Sequence, residues 1–396
     1  MDIEELLYAV EEHLAPLLSA TVSPDFGKCT ARCLRIASLE PSKIAIKAGD
    51  EAEERVVIYR VPGFVPEELQ LAKDFTDELF AMHDVTSPEY RADLLAFLPE
   101  RAIAKHLGYT NVMQALLRQF QKWAARTYEG RAITSSIGIN PEVPDFDVTI
   151  DELFEHDFAT ILSNGFDTLL VITENGKIAG AGHLNFSHSN NVFSPYRLNA
   201  IAEWCTENKV AVILNRLGEQ LIFRNKKLIF AKRRGEWRYY AHENYIKQLI
   251  PKKSRKVKEA IYQSCLDISY ARSGGCIIVI NDKLIEKINE LVSDEDRLDG
   301  IHASVKSKTL RSMIDKKFQD LDRRLRQEIL ALDGATILKS NGEIVAAGAI
   351  ISVPAGSKGG GRMAAATKGS LLGMGIKISE DGEISVFIDG KKVFSF

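Results

Sequence analysis

Two stretches of this chain lie over one another without a gap: FDTLLVITENGKIAGAGHL (Phe166–Leu184) and LDGATILKSNGEIVAAGAI (Leu332–Ile350). Each is a short apolar run, an Asn-Gly dipeptide and a returning apolar run, which is the pattern of a tight β-hairpin. Asp167 precedes Gly176 by nine residues and Gly182 by fifteen, and Asp333 precedes Gly342 and Gly348 by the same nine and fifteen. The frame continues downstream. Arg197 and Arg362 lie thirty and twenty-nine residues beyond those aspartates, Gly218 and Gly382 fifty-one and forty-nine, Phe223 and Phe387 fifty-six and fifty-four, and Phe230 and Phe394 sixty-three and sixty-one. Any two hairpins share Asn-Gly and alternation. Seven landmarks that drift by at most two residues predict instead a duplicated domain with a period of ~165 residues.

Working outward, 396 residues at roughly 150 per domain predict two or three domains. A composition of 45% hydrophobic and 27% charged residues is globular. Lys+Arg 51 against Asp+Glu 54 leaves −3, so no global positive field recruits nucleic acid. Apolar runs such as Thr168–Thr173 and Cys276–Ile280 fall far short of the ~20 residues that span a bilayer. The acidic start, MDIEELLYAVEEHL, is no secretory leader, and a cytoplasmic protein is expected. Five scattered cysteines (Cys29, Cys33, Cys205, Cys265, Cys276) argue against a disulfide framework. Cys29 and Cys33 have no second pair, which favours ordinary thiols over a zinc site.

Residues 1–135 are expected to form an α+β sensor or regulatory region, with helices over Pro66–Met82, Pro88–His106 and Asn111–Thr127. Gly138 to Pro144, with Asn140-Pro141 and Val143-Pro144, is expected as a linker. Residues 145–250 and 255–396 are then the two related α/β domains. Helices are expected at Ile150–Leu162, from Pro195 through Asn208, and as one amphipathic segment over Lys306–Arg326.

Three features of the last region could carry chemistry. In Leu332-Asp333-Gly334-Ala335 a carboxylate opens a strand, beside backbone that a flat ring can approach. Gly359-Gly360-Gly361-Arg362 runs into a helix start, exposing N–H groups and a guanidinium to an anion. Ser379-Glu380-Asp381-Gly382 places carboxylates at a strand end. Each also has a plainer reading, as a turn, a surface loop and a turn. The aromatic and basic run Arg233–Tyr240 is either a stacking surface or, preferably, an amphipathic strand.

Taken in order, ARSGGCIIVI (Ala271–Ile280), DGATILKSNGEIVAAGAI (Asp333–Ile350), GGGRMAAAT (Gly359–Thr367) and ISEDGEISVFIDGKKVF (Ile378–Phe394) resemble the diadenylate cyclase domain over ~255–396. The resemblance implies a mixed-sheet α/β domain that binds ATP with Mg²⁺ or Mn²⁺. It also implies a pair of such domains face to face, joining two ATP into cyclic di-AMP, in a homo-oligomer or an internal pseudo-dimer. Asp333 would then be a metal ligand that helps activate the 3′-hydroxyl, and Glu380 a second ligand. Gly334, Ala335, Gly361, Arg362 and Thr367 would contact the nucleotide, with Arg362 on the phosphates. The family carries Arg-His after the glycine loop. Here Gly361-Arg362-Met363 lacks the histidine and one cation, although Lys358 or Lys368 lies close in sequence. Each lost transition-state contact costs about 10²–10³ in rate. The alternative is therefore a degenerate domain that binds ATP or a cyclic dinucleotide as a sensor. The upstream copy is expected to pack or sense only, because Asp167-Thr168-Leu169 and Asn215-Arg216-Leu217-Gly218 replace the acidic elements.

Overall fold

Met1–Ala241 and His242–Phe396 form separate units. The computed structural model describes residues 1–23, 27–28, 35–49, 54–85, 87–144, 146–186, 193–250, 254–352 and 360–396. In the first unit the Asp2 side chain accepts from the Glu5 N–H at 2.7 Å and caps α1 (Ile3–Ala9), which continues through a π turn at Val10–Leu14 into α2 (Ala15–Leu17). Strands β1 (Thr21–Val22), β2 (Gly27–Lys28), β3 (Ile36–Glu40), β4 (Lys43–Lys47) and β5 (Glu54–Tyr59) make an antiparallel sheet ordered β1-β5-β4-β3, with β2 also on β5. Helices α3 (Pro66–Val85), α4 (Pro88–Leu95), α5 (Leu98–Leu107) and α6 (Thr110–Ala124) follow. On α6, Val112, Met113, Leu116, Leu117, Phe120 and Trp123 are buried, an apolar stripe at helical spacing. The small hairpin β6 (Thr127–Tyr128) and β7 (Arg131–Ala132) leads into a second sheet.

That sheet contains β8 (Ser135–Ile139), β9 (Thr168–Ile172), β10 (Ile178–His183), β11 (Val210–Leu214), β12 (Gln220–Arg224), β13 (Lys227–Arg233) and β14 (Glu236–Tyr239), ordered β10-β9-β8-β11-β12-β13-β14. Its short helices are α7 (Ile150–Phe154) and α8 (Asn199–Trp204). The second unit has α9 (His242–Gln248), α10 (Arg255–Ala271), β15 (Gly275–Ile280), α11 (Val305–Met313), α12 (Arg323–Leu330), β16 (Ala335–Lys339), β17 (Ile344–Ala349), α13 (Gly360–Gly369), β18 (Gly373–Ile378), β19 (Ile384–Ile388) and β20 (Lys391–Ser395). Its sheet runs β17-β16-β15-β18-β19-β20.

The two larger sheets share one topology. In each, the central strand is parallel to the first strand of the Asn-Gly hairpin and antiparallel to the strand after the helix. The registers agree to the residue. Ile137 opposes Leu170 and Val212, and Ile277 opposes Thr336 and Ile376. Leu170 and Thr336 each stand three residues after the paired aspartates, while Val212 and Ile376 each stand six before the paired glycines Gly218 and Gly382. The hairpin turns match as well, with Gly176 and Gly342 at φ +77° and +85°, and Gly218 and Gly382 at +74° and +91°.

Several expectations need correction. The segment expected as a linker begins inside β8, a fully buried central strand, so the repeated sheet starts ten residues before 145. A Cβ on Gly138 would lie 2.5 Å from the Trp204 ring, so this glycine is a packing residue. Lys306–Arg326 is two α-helices separated by a 3₁₀ turn at Phe318–Asp320, and Ile150–Leu162 is α7 followed by a 3₁₀ turn at Asp157–Ile161. The helix after Pro195 ends at Trp204. Trp237 is buried and Arg233 is paired with Glu219, and the aromatic run is the end of β13, a turn at Arg234-Gly235 and the amphipathic β14 rather than one strand. Among the described residues, no helix is long and apolar enough to cross a membrane.

Candidate functional site

Three neighbouring strands of the second unit bring the sequence features to one sheet end. Because β15 and β16 are parallel, continuing their register sets Asp333 beside Gly274. Because β15 and β18 are antiparallel, the same extension sets Ser379 and Glu380 beside Gly274 and Ser273. Asp333 and Glu380 therefore flank the central strand, about two strand spacings or ~10 Å apart at the backbone. Helix α13 runs alongside β15, with Arg362 over Gly274 at its start and Gly369 against Ile278 near its end. Its N-terminus thus faces the same sheet end as the two carboxylates, adding the positive pole of its dipole.

Gly334 shapes the floor of this end. It has φ +107°, and a Cβ there would lie 2.6 Å from both the Gly348 carbonyl carbon and the Ala349 oxygen. The close approach accompanies a bulge. Ala335 opposes Ala349 and Ile337 opposes Ala346, so three steps on β17 match two on β16. Gly348 sits at φ +60° in the bulge, and its carbonyl accepts from Lys306 Nζ at 2.7 Å. Lys306 also reaches Asp296 at 2.8 Å, and Asp296 accepts from the Ile350 N–H at 3.0 Å. Lys306 and Asp296 are thus supporting residues that sequence reasoning missed. Contacts 42 and 54 residues apart leave no local signal.

The two aspartates differ accordingly. In the first unit Thr168 occupies the place of Gly334 and pairs regularly with His183. Asp167 accepts from Asn164 Nδ2 at 2.6 Å and lies 3.6 Å from His183 Nε2. Asp333 is exposed and has no side-chain hydrogen bond or ion pair with any described residue. Ala335 is fully buried beneath it.

Arg362 is held by Glu380, with Nη1 donating to Oε1 at 2.9 Å, and its Nη2 donates to the Ser273 carbonyl at 3.3 Å. The glutamate side chain is 71% exposed, so the pair contributes at most about 1 kcal/mol. A charged ligand can therefore displace it. Burial pushes the Cys276 thiol on β15 up to about 12, although the Arg362 charge acts in the opposite direction. Gly361 is exposed, beside Arg362. Thr367 lies further along α13, about 10 Å of helix rise from its start, and its carbonyl accepts from Ser370 Oγ. The structure gathers Asp333, Gly334, Ala335, Gly361, Arg362 and Glu380 at one end and leaves Thr367 along the helix. Lys368 donates to the Ser352 carbonyl at 2.5 Å. Gly356 to Gly359, including Lys358, lie outside the described residues, as do Cys29, Cys33, His188, Lys252 and Lys253.

Among the described residues, no three His, Cys, Asp or Glu side chains are grouped to hold a metal ion. Asp333 alone offers an unengaged carboxylate here. That fits Mg²⁺ or Mn²⁺ brought in with a nucleotide, since such ions take one or two carboxylates plus phosphates and water.

No protein-family model matches the chain, and no curated protein does. Among solved structures, a double-cysteine variant of DacA from Staphylococcus aureus, a diadenylate cyclase, aligns with a TM-score of 0.26 and 21% identity, over 35% of this chain and 84% of its own. A hypothetical membrane spanning protein from Bacillus cereus aligns with a TM-score of 0.29 and 20% identity, over 39% of this chain and 70% of its own. The likeness is coarse. Neither match bears on chemistry.

Proposed function

We propose that His242–Phe396 is an adenine-nucleotide-binding domain of diadenylate cyclase type, which joins two ATP into cyclic di-AMP. The observation that supports this most is the exposed, unengaged Asp333 carboxylate next to the Gly334–Gly348 bulge, where the first unit has a tied Asp167 and, beside it, unshifted pairing of Thr168 with His183. Asp333 would hold a divalent cation carried by ATP, and that cation would neutralise phosphate charge. Gly334 lets the Gly348–Ala349 backbone close in on β16, and a flat base would lie against the bulge so formed. Arg362, at the start of α13, would leave Glu380 for a phosphate, and Glu380 would then be available to metal. The first unit has Thr168 and Arg216 where the second has Gly334 and Glu380, so it would not supply the second active face. A second copy of the chain would do so. The first unit would serve a regulatory role.

The Arg362–Glu380 pair and the missing histidine favour a second reading, in which the domain binds ATP or a cyclic dinucleotide without turnover. Incubation of the full chain with ATP and Mn²⁺ or Mg²⁺, with product detected by mass spectrometry, separates the two. Cyclic di-AMP that disappears in Asp333→Asn supports the cyclase. Absence of product alongside calorimetric ATP binding rejects it in favour of the binding domain. Product undiminished in Asp333→Asn refutes the assignment of Asp333.

A further inference from the structure

The first unit holds a cavity of about 840 Å³ among α3, the α4–α5 corner and α6. Its size is within the ~300–1,000 Å³ of small-molecule sites. Its apolar lining is Ala81, buried Met82, and Leu94 and Phe97, the last two each 39% exposed.

The rim is basic. Arg101, Arg118 and Lys122 all line the cavity, and the last two are exposed. Arg101 is balanced by Glu78, with Nη2 to Oε2 at 2.8 Å. Arg118 and Lys122 are exposed and make no ion pair with any described residue. They lie four residues apart on α6, where like charges destabilise a helix by about 0.2–0.5 kcal/mol. The opposite face of α6 is buried core, so the two cations are presented on the cavity side of the helix. An apolar lining with two exposed positive charges, unpaired among the described residues, is complementary to an amphiphile with an anionic head.

We propose that this cavity binds a single-chain acyl anion, its hydrocarbon against Met82, Leu94 and Phe97 and its carboxylate between Arg118 and Lys122. The site is independent of the nucleotide reading of the second unit, and either can fail alone.

Isothermal titration of the full chain with dodecanoate below its micellar concentration tests it, with dodecanol and dodecyltrimethylammonium as comparisons. Saturable 1:1 binding of dodecanoate is expected, at least tenfold tighter than either comparison ligand. Arg118→Gln/Lys122→Gln should weaken dodecanoate at least tenfold and leave dodecanol unchanged. No saturable dodecanoate binding, equal binding of the three ligands, or full affinity in the charge variant would each overturn the proposal. Circular dichroism checks that the charge variant is folded. Should it not be, Leu94→Gln/Phe97→Gln serves instead, with at least a tenfold loss expected and unchanged affinity counting against the site.

Discussion

Replacing Gly334 by alanine tests the feature that separates the two copies. The native φ of +107° is one that a side chain rarely adopts, and the new Cβ would meet two backbone atoms at 2.6 Å. Positive φ costs a non-glycine residue roughly 1–2 kcal/mol, and forcing an extra methyl into packed backbone roughly 1–3 kcal/mol more. The sum, about 2–5 kcal/mol, falls on β16, β17 and the bulge at Gly348. At 1.4 kcal/mol per tenfold, amide hydrogen exchange of peptides covering these strands should accelerate about 30- to 3,000-fold, capped by the stability of the unit. Calorimetric ATP affinity should fall with it. Thr168→Gly is the matched control: glycine in a strand costs about 0.5–1 kcal/mol, and losing the Asn164 N–H bond to Thr168 Oγ1 at 2.8 Å about 0.5–1.5 kcal/mol more. Its exchange should rise by no more than about sixtyfold. Exchange in Gly334→Ala within threefold of the native rate would refute the account of the bulge.

Other outcomes follow from buried charge and buried thiols. Asp267 accepts both Nε and Nη2 of Arg323 at 2.8 Å, and burial lowers the pKa of neighbouring Arg326 to about 10. Asp267→Ala removes the carboxylate that pairs with buried Arg323 and should cost about 3–5 kcal/mol, read as a lowered Tm. Cys205, Cys265 and Cys276 are buried with thiol pKa values pushed upward by desolvation, so alkylation mapping at pH 8 should find them unmodified until the protein is denatured. Burial lowers the His13 pKa below its ordinary 6.5, the nearby Glu12 charge acting in the opposite direction. Its contribution to stability is present above pH 6.5 and lost as pH falls through the lowered folded value. The urea midpoint of His13→Gln should accordingly depend less on pH than that of the native protein below pH 6.5.

Both Asn-Gly hairpins and the repeat frame were legible because turn chemistry is local. Glycine at positive φ is needed wherever such a turn closes, and the spacing between turns survives substitution of the strands between them. Strand β8 was not legible. Ser135-Ser136-Ile137-Gly138-Ile139 shows little alternation, since the strand is buried on both faces, and Gly138 is required by the Trp204 ring rather than by a turn. The broken helix over 306–326 was hidden for a related reason. Leu310, Met313, Ile314, Phe318, Leu321 and Leu325 keep helical spacing, while the chain turns so that the Phe318 N–H can donate to the Gly342 carbonyl.

By itself the sequence determined the repeated spacing and the two hairpins, since both rest on local backbone requirements, and it singled out a short set of candidate site residues. Only the tertiary structure decided which of those residues share one end of a sheet and which are already engaged. Asp333 and Asp167 open equivalent strands in equivalent sequence frames. One is open to solvent beside a bulge, and the other is bound by Asn164 and His183. That difference comes from the partners the fold sets around each carboxylate, which spacing along the chain does not encode.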